Sequence, residues 1–238
     1  MIMKKFVLSI LACVAVPTLS AQTTKVEFRT LCIQLMPGLE TLTIAGEKAG
    51  ESTQVKLFTD VSPVVQGSFT SGQAEFFAET AGADGKPVRK AVAKGPLAKS
   101  ERQLFVFIPT GSKDKLPYHL VCYDDDTKSF PMGHIRAINL APGPVRFVIS
   151  GAATPEVPPG KHALFPHSKK VNEYDMYPVV VEFKGADNAW VKGQSVNWKA
   201  TDRRREIVVT MIEPKFKQPV VRIFGDVPPW LEAPAAAP

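Results

Sequence analysis

Two stretches, Glu101-Arg-Gln-Leu-Phe-Val-Phe-Ile108 and Arg204-Arg-Glu-Ile-Val-Val-Thr-Met211, decide how this chain is read. Both lead from charged residues into β-branched and aromatic side chains, the composition of strands rather than helices. They also fall on each other, and other pairs follow in the same order. Phe28-Arg29 before Met36-Pro37-Gly38 parallels Ile135-Arg136 before Ala141-Pro142-Gly143. Ala74-Glu-Phe-Phe77 falls on Val180-Val-Glu-Phe183, and Leu120-Val-Cys-Tyr-Asp124 on Arg222-Ile-Phe-Gly-Asp226. Four ordered matches mark an internal repeat of roughly 100 residues.

Working outward, further apolar runs read as strands at Lys25–Ile33, Gln54–Thr59, Tyr118–Tyr123, His134–Leu140, Val145–Ser150 and Tyr177–Phe183. Turn signals such as Asp84-Gly85 and Pro158-Pro-Gly160 stand between them. The chain's 21 Pro and 16 Gly argue against a helical bundle. The fold class is therefore all-β, as two tandem antiparallel β-sandwich (Ig-like) units. The units are expected at 22–131 and 132–230, meeting near Pro131-Met132-Gly133. No flexible linker stands there, so they should pack together. A single larger sandwich is the alternative.

At the N-terminus, Lys4 and Lys5 precede an apolar run from Phe6 to Val16 and the small residue Ala21. This is the pattern of a secretory signal peptide over 1–21, cleaved near Ala21 and leaving a periplasmic or extracellular protein. A lipoprotein signal using Cys13 is the rival, but Val14-Ala-Val16 continues the greasy run past that cysteine. No stretch is long and apolar enough for a transmembrane span. The tail at 231–238, rich in Ala and Pro, is expected to be disordered. Removing 1–21 lowers the formal charge from +6 to +4, and the basic residues are scattered, so no nucleic acid partner is expected. Arg203-Arg-Arg205 reads as a solvated turn or strand edge.

Two cysteines, Cys32 and Cys122, follow the expected cleavage point, and an oxidising compartment would allow them to pair. Their counterparts in the second unit, about Asn139 and Phe224, cannot bridge. A disulfide would thus be an addition to the fold, contributing about 3–5 kcal/mol through its long loop.

Ser129-Phe-Pro-Met-Gly-His-Ile-Arg-Ala-Ile-Asn-Leu-Ala-Pro-Gly-Pro-Val145, followed by Pro158-Pro-Gly160, resembles a group of uncharacterised exported bacterial β-sandwich proteins. In that group an Arg-x-x-Asn-Leu strand leads into a turn and a Pro-Pro-Gly hairpin. The resemblance implies export and a β fold, and brings no catalytic or binding residue with it.

Candidate chemistry is sparse. His162 and His167 are five apart with no third ligand, so no metal site is assigned. Asp124-Asp-Asp126 lacks the spacers of a calcium loop and reads as a turn. Glu173 and Asp175 could form a carboxylate pair for a hydrolase. No nucleophile elbow or phosphate loop is present, and no cofactor is implied. Trp190 with Tyr174 or Tyr177 could stack on sugar rings, Trp198 reads as core, and Trp230 as a clip for the C-terminus. The expected function is a non-catalytic envelope or extracellular protein–protein interaction module, using an edge strand or a groove between the units. A polysaccharide-binding module and a carboxylate-dependent hydrolase are the alternatives.

Overall fold

The computed structural model describes residues 23–231, apart from 47, 49, 83–86, 113 and 114. The expected signal peptide at 1–21 and the tail after Leu231 lie outside the described residues. Sixteen strands and no helix form among the described residues. The first half holds β1 (Thr23–Cys32), β2 (Thr41–Ala45), β3 (Ser52–Lys56), β4 (Val65–Thr70), β5 (Gln73–Ala81), β6 (Pro87–Pro96), β7 (Arg102–Pro109) and β8 (Tyr118–Asp124). The second holds β9 (His134–Asn139), β10 (Val145–Ile149), β11 (Ala152–Ala153), β12 (His162–Pro166), β13 (Met176–Lys184), β14 (Trp190–Lys199), β15 (Arg205–Ile212) and β16 (Pro219–Asp226).

The architecture is sandwich-like. One sheet of the first half runs β3-β2-β5-β6-β8-β7-β1-β4 and curls until β4 touches β2 and β5. The second half has two four-stranded sheets, β11-β10-β13-β14 and β12-β9-β15-β16. Adding eight to each number in the first order gives these two sheets, with one junction missing. In the first half β6 and β8 join through Ala93↔Tyr118 and Lys94↔His119. In the second half Pro219 pairs with Ile212, the place that Tyr118 takes opposite Pro109. Proline has no N–H to offer a neighbouring strand, and β14 and β16 touch without a ladder.

Two of the three sheets are mixed rather than purely antiparallel, while β11-β10-β13-β14 is antiparallel throughout. β1 runs parallel to β7, β9 to β15, and β6 to β8. Parallel neighbours need a crossover; between β1 and β7 the chain builds the opposite side before returning. Ladder register also shifts two of the sequence matches by one residue. Asp124 pairs with Gln103 whereas Gly225 pairs with Glu206, so Asp125 takes the place of Asp226. Ala74 and Phe76 are buried as Val179 and Val181 are, so these pairs correspond. A slip of one residue exchanges the two faces of a strand, which apolar composition alone does not reveal.

Three cores form. Phe28, Phe69, Phe76, Phe105 and Phe107 fill the first half, and Phe147, Tyr177, Val181 and Trp198 fill the second. The third lies between them, where Leu31, Leu104, Val106 and Phe130 meet Ile138, Ile207 and Val209. β7 and β15 are thus covered on both faces, which is why their sequences run apolar without alternation. Cys32 and Cys122 are free thiols. They stand opposite Phe107 and Phe105 on strands flanking β7. Two interstrand spacings alone amount to roughly 9–10 Å, and the two-residue offset along β7 adds to that, so the pair lies beyond the reach of a disulfide. The expected Cys32–Cys122 bond is not formed.

Candidate functional site

The residues singled out for sugar stacking do not converge. Tyr177, on β13, is fully buried, and its hydroxyl meets His167 Nδ1 at 2.6 Å. Tyr174 lies on the exposed turn before β13, with Glu173 and Asp175 beside it. Trp190 pairs with Lys184 at the far end of the β13–β14 hairpin. The length of β13 separates the two ends, roughly 26 Å at strand rise. Arg146 lies 4.2 Å and Lys184 5.4 Å from the Trp190 ring centroid. Among the described residues no cluster of three or more His, Cys, Asp and Glu side chains could hold a metal ion. Cys122 is pushed up to about 12 by burial, which keeps its thiol protonated and inert.

Charge instead converges between the halves. Arg29 on β1 donates from Nε (2.9 Å) and Nη2 (2.6 Å) to Asp125 Oδ2, and from Nη1 to Asp226 Oδ1 at 2.6 Å. Arg205 on β15 donates to Asp125 Oδ1 at 2.7 Å and to Asp226 Oδ2 from Nε at 2.8 Å. Each half supplies one arginine and one aspartate, and each aspartate is held by both arginines. All four side chains are at most 3% exposed.

Two guanidinium groups lie over the Phe130 ring, Arg205 at 4.3 Å and Arg136 at 4.4 Å from its centroid, and Arg29 lies 4.8 Å from the Trp230 ring centroid. Burial would raise Asp226, but the hydrogen bonds and charges of the two arginines outweigh it and hold the carboxyl below the usual range. At Asp125 burial wins and the carboxyl is pushed up. Burial lowers Arg136 to about 10.

Sequence reasoning missed this ring. Arg205, expected on a solvated turn or strand edge, is completely buried. Asp124-Asp-Asp126 does form a turn, in which Asp126 Oδ1 accepts from Lys128 and Ser129 N–H groups at 2.9 Å, but Asp125 points inward. The signal was the recurrence of Arg29 and Arg136 in matched strands. Arg136 donates to the Asp124 carbonyl at 2.7 Å, and Asn139 closes the following turn onto Gly143 and Val157. The Arg-x-x-Asn segment is therefore structural here.

A second feature lies at the open end of the first half. β4 is an edge strand, and with the start of β1 and residues 100–102 it lines a groove of about 1110 Å³ whose other wall is the β2–β3 hairpin. Gln66 and Gly67 of β4 line it together with Ser52 and Thr53 of β3. Charges of both signs rim the groove, among them the ion pairs Arg102–Glu27 (3.3 Å) and Lys48–Glu51 (3.9 Å).

The matching place in the second half is built differently. Val26 pairs with Gly67 as Gly133 aligns with His167, whose N–H donates to the Gly133 carbonyl at 3.1 Å. Where the first half has a glycine, the second has an imidazole anchored on Tyr177. The β10–β11 hairpin has two paired rungs against five in β2–β3. No protein-family model matches the chain, and no curated protein sequence matches it.

Proposed function

We propose that this is an exported, non-catalytic interaction module built from two tandem β-sandwich units, and that it binds an extended segment of an envelope or extracellular protein along β4. The repeat reading is supported by the shared strand order and by bulges at the same place in β5–β6 and β13–β14. A binding role draws on the contrast among edges. Exposed edge strands are normally blunted by charge, proline or shortness, because their backbone groups invite another strand.

Here β3 ends in Lys56, β12 in Pro166, β14 carries Lys192 and Lys199, β16 carries Pro219 and Arg222, and β11 has two residues. β4, Val65-Gln-Gly-Ser-Phe-Thr70, has none of these protections and borders the groove. That single observation carries the proposal. Recognition would come from backbone pairing along the edge, with small side chains preferred next to Gly67. The third core and the ionic ring fill the space between the halves, so the edge strand is preferred to an inter-unit groove.

A photo-crosslinking residue at Gln66, compared with one at exposed Ser195 on β14, tests this in the envelope fraction of cells that make the protein. A defined protein adduct at position 66 but not at 195 is expected. Equal labelling at both positions, or none at 66, would count against the β4 edge.

A further inference from the structure

The turn between β15 and β16 carries Lys215-Phe216-Lys217 at its tip. Phe216 is 65% exposed, although large aromatic side chains usually find cover. The turn is closed from inside: the Lys217 N–H donates to the Glu213 carbonyl at 2.9 Å, and the Phe216 N–H donates to the Glu213 carboxylate at 2.5 Å. Lys217 takes a positive φ of 57°. These bonds hold the Phe216 ring outward on the loop, where the Lys215 ammonium lies 5.1 Å from the ring centroid.

The patch extends onto β14. A Cβ at Gly193 would lie 2.9 Å from the Pro219 side chain, so the start of β14 stands against the start of β16. Val191, 52% exposed, and Lys192 therefore neighbour the turn, and half-buried Trp190 follows on the same strand. Apolar side chains thus stand among Lys192, Lys215 and Lys217. Opposing acids are Glu213, engaged at the base of the turn, and Asp187 in the β13–β14 turn. Arg146 and Lys184, nearer Trp190, are already paired with Glu182 and Glu156.

Exposed aromatic and aliphatic side chains ringed by lysines match the interface of a membrane with anionic headgroups. The rings enter the headgroup layer while the ammonium groups meet its negative charge. From this placement we infer that the β15–β16 tip, with the start of β14, docks on an anionic lipid surface. The site is independent of the β4 edge and would anchor the second half while the first half remains free.

Sedimentation of residues 22–238 with vesicles tests the inference, comparing phosphatidylcholine alone with vesicles in which about one lipid in three is phosphatidylglycerol. Binding is expected only to the latter and should weaken as salt rises. The double variant Lys215→Glu, Lys217→Glu is expected to bind about thirtyfold more weakly, and Phe216→Ser about tenfold. All three positions are exposed, and an unchanged thermal melt verifies that the variants fold. Equal binding to both vesicle types, no binding to either, or variants that bind like the parent would each overturn the inference. Crosslinking of the tip to a protein without vesicle binding would reassign the patch to a protein partner and overturn it too.

Discussion

The two halves place nearly the same ladders around different edge chemistry. In the first, Gly67 lets β4 close onto Ile44 and Phe28, where a Cβ would lie within 3 Å of both, and β6–β8 pairing joins the sheet into one curled surface. In the second, His167 and Tyr177 fill the corresponding space, and Pro219 stands where that junction would form. The cores are interchangeable in kind, being Phe, Val, Ile and Tyr in both. Differences gather at edges and turns, where substitution costs the fold least. The binding proposed for the first half and the anchoring inferred for the second fit that division.

The strongest way to break the comparison is to cut what the halves share. Arg205→Met leaves Asp125 and Asp226 buried with one arginine fewer, and a loss of about 3–5 kcal/mol is expected. Because Asp125 belongs to the first half, urea unfolding should shift both halves together. Trp198 fluorescence and amide exchange in β5 would report each half. Separate transitions would show that the ring does not couple them.

Acid titration sharpens the same point. Asp226 is held below its unfolded value, so its contribution is present above about pH 4 and is lost as pH falls through the folded value. Asp226→Asn should therefore be less stable at neutral pH and show a shallower loss below pH 4 than the parent. Asp125 is shifted the other way, so its protonation opposes that loss. An unchanged acid slope in Asp226→Asn would remove Asp226 as its source.

A smaller effect is expected at the missing junction. Pro219→Ala restores an N–H at the place of Tyr118. It should slow amide exchange where β14 meets β16 and change stability by no more than about 1 kcal/mol. Unaltered exchange would show that Gly193 packing, rather than the proline, keeps the sheets apart. Smallest of all is the effect of a reductant. With Cys32 and Cys122 free, the melting temperature should be the same with and without dithiothreitol, and neither native thiol should react with a thiol reagent at pH 8. A drop on reduction would reveal a bond after all.

Strands buried on both faces were legible in sequence. β7 and β15 are legible from the unbroken apolar runs Leu104–Ile108 and Ile207–Val209, β10 from its alternation, and β1, β8, β9 and β13 from their β-branched and aromatic content. The strands not recognised were β2, β4, β6, β11, β12 and β14, which are short, at an edge, or interrupted by Gly and Lys. β6, for example, reads Pro-Val-Arg-Lys-Ala-Val-Ala-Lys-Gly-Pro and owes its conformation to β5 rather than to its own preference. Both proposed sites rest partly on such strands, so they were the least visible. The arginines were visible as residues but not as partners, because burial of a charge is decided by the segment folded over it.

The ring also bears on when the fold can close. Arg29 and Asp226 are separated by 197 positions in the chain. β1 can pair with β4 and β7 early, while its guanidinium still waits for half of its partners. Docking of the second half is then a late step that closes a very long loop, slow in proportion to the sequence distance it spans. A first half that collapses alone would carry Arg29 and Asp125 on a water-exposed face and stay reversible until β16 arrives. The ring would thereby act as a clock, setting completion of the fold by its most distant contact.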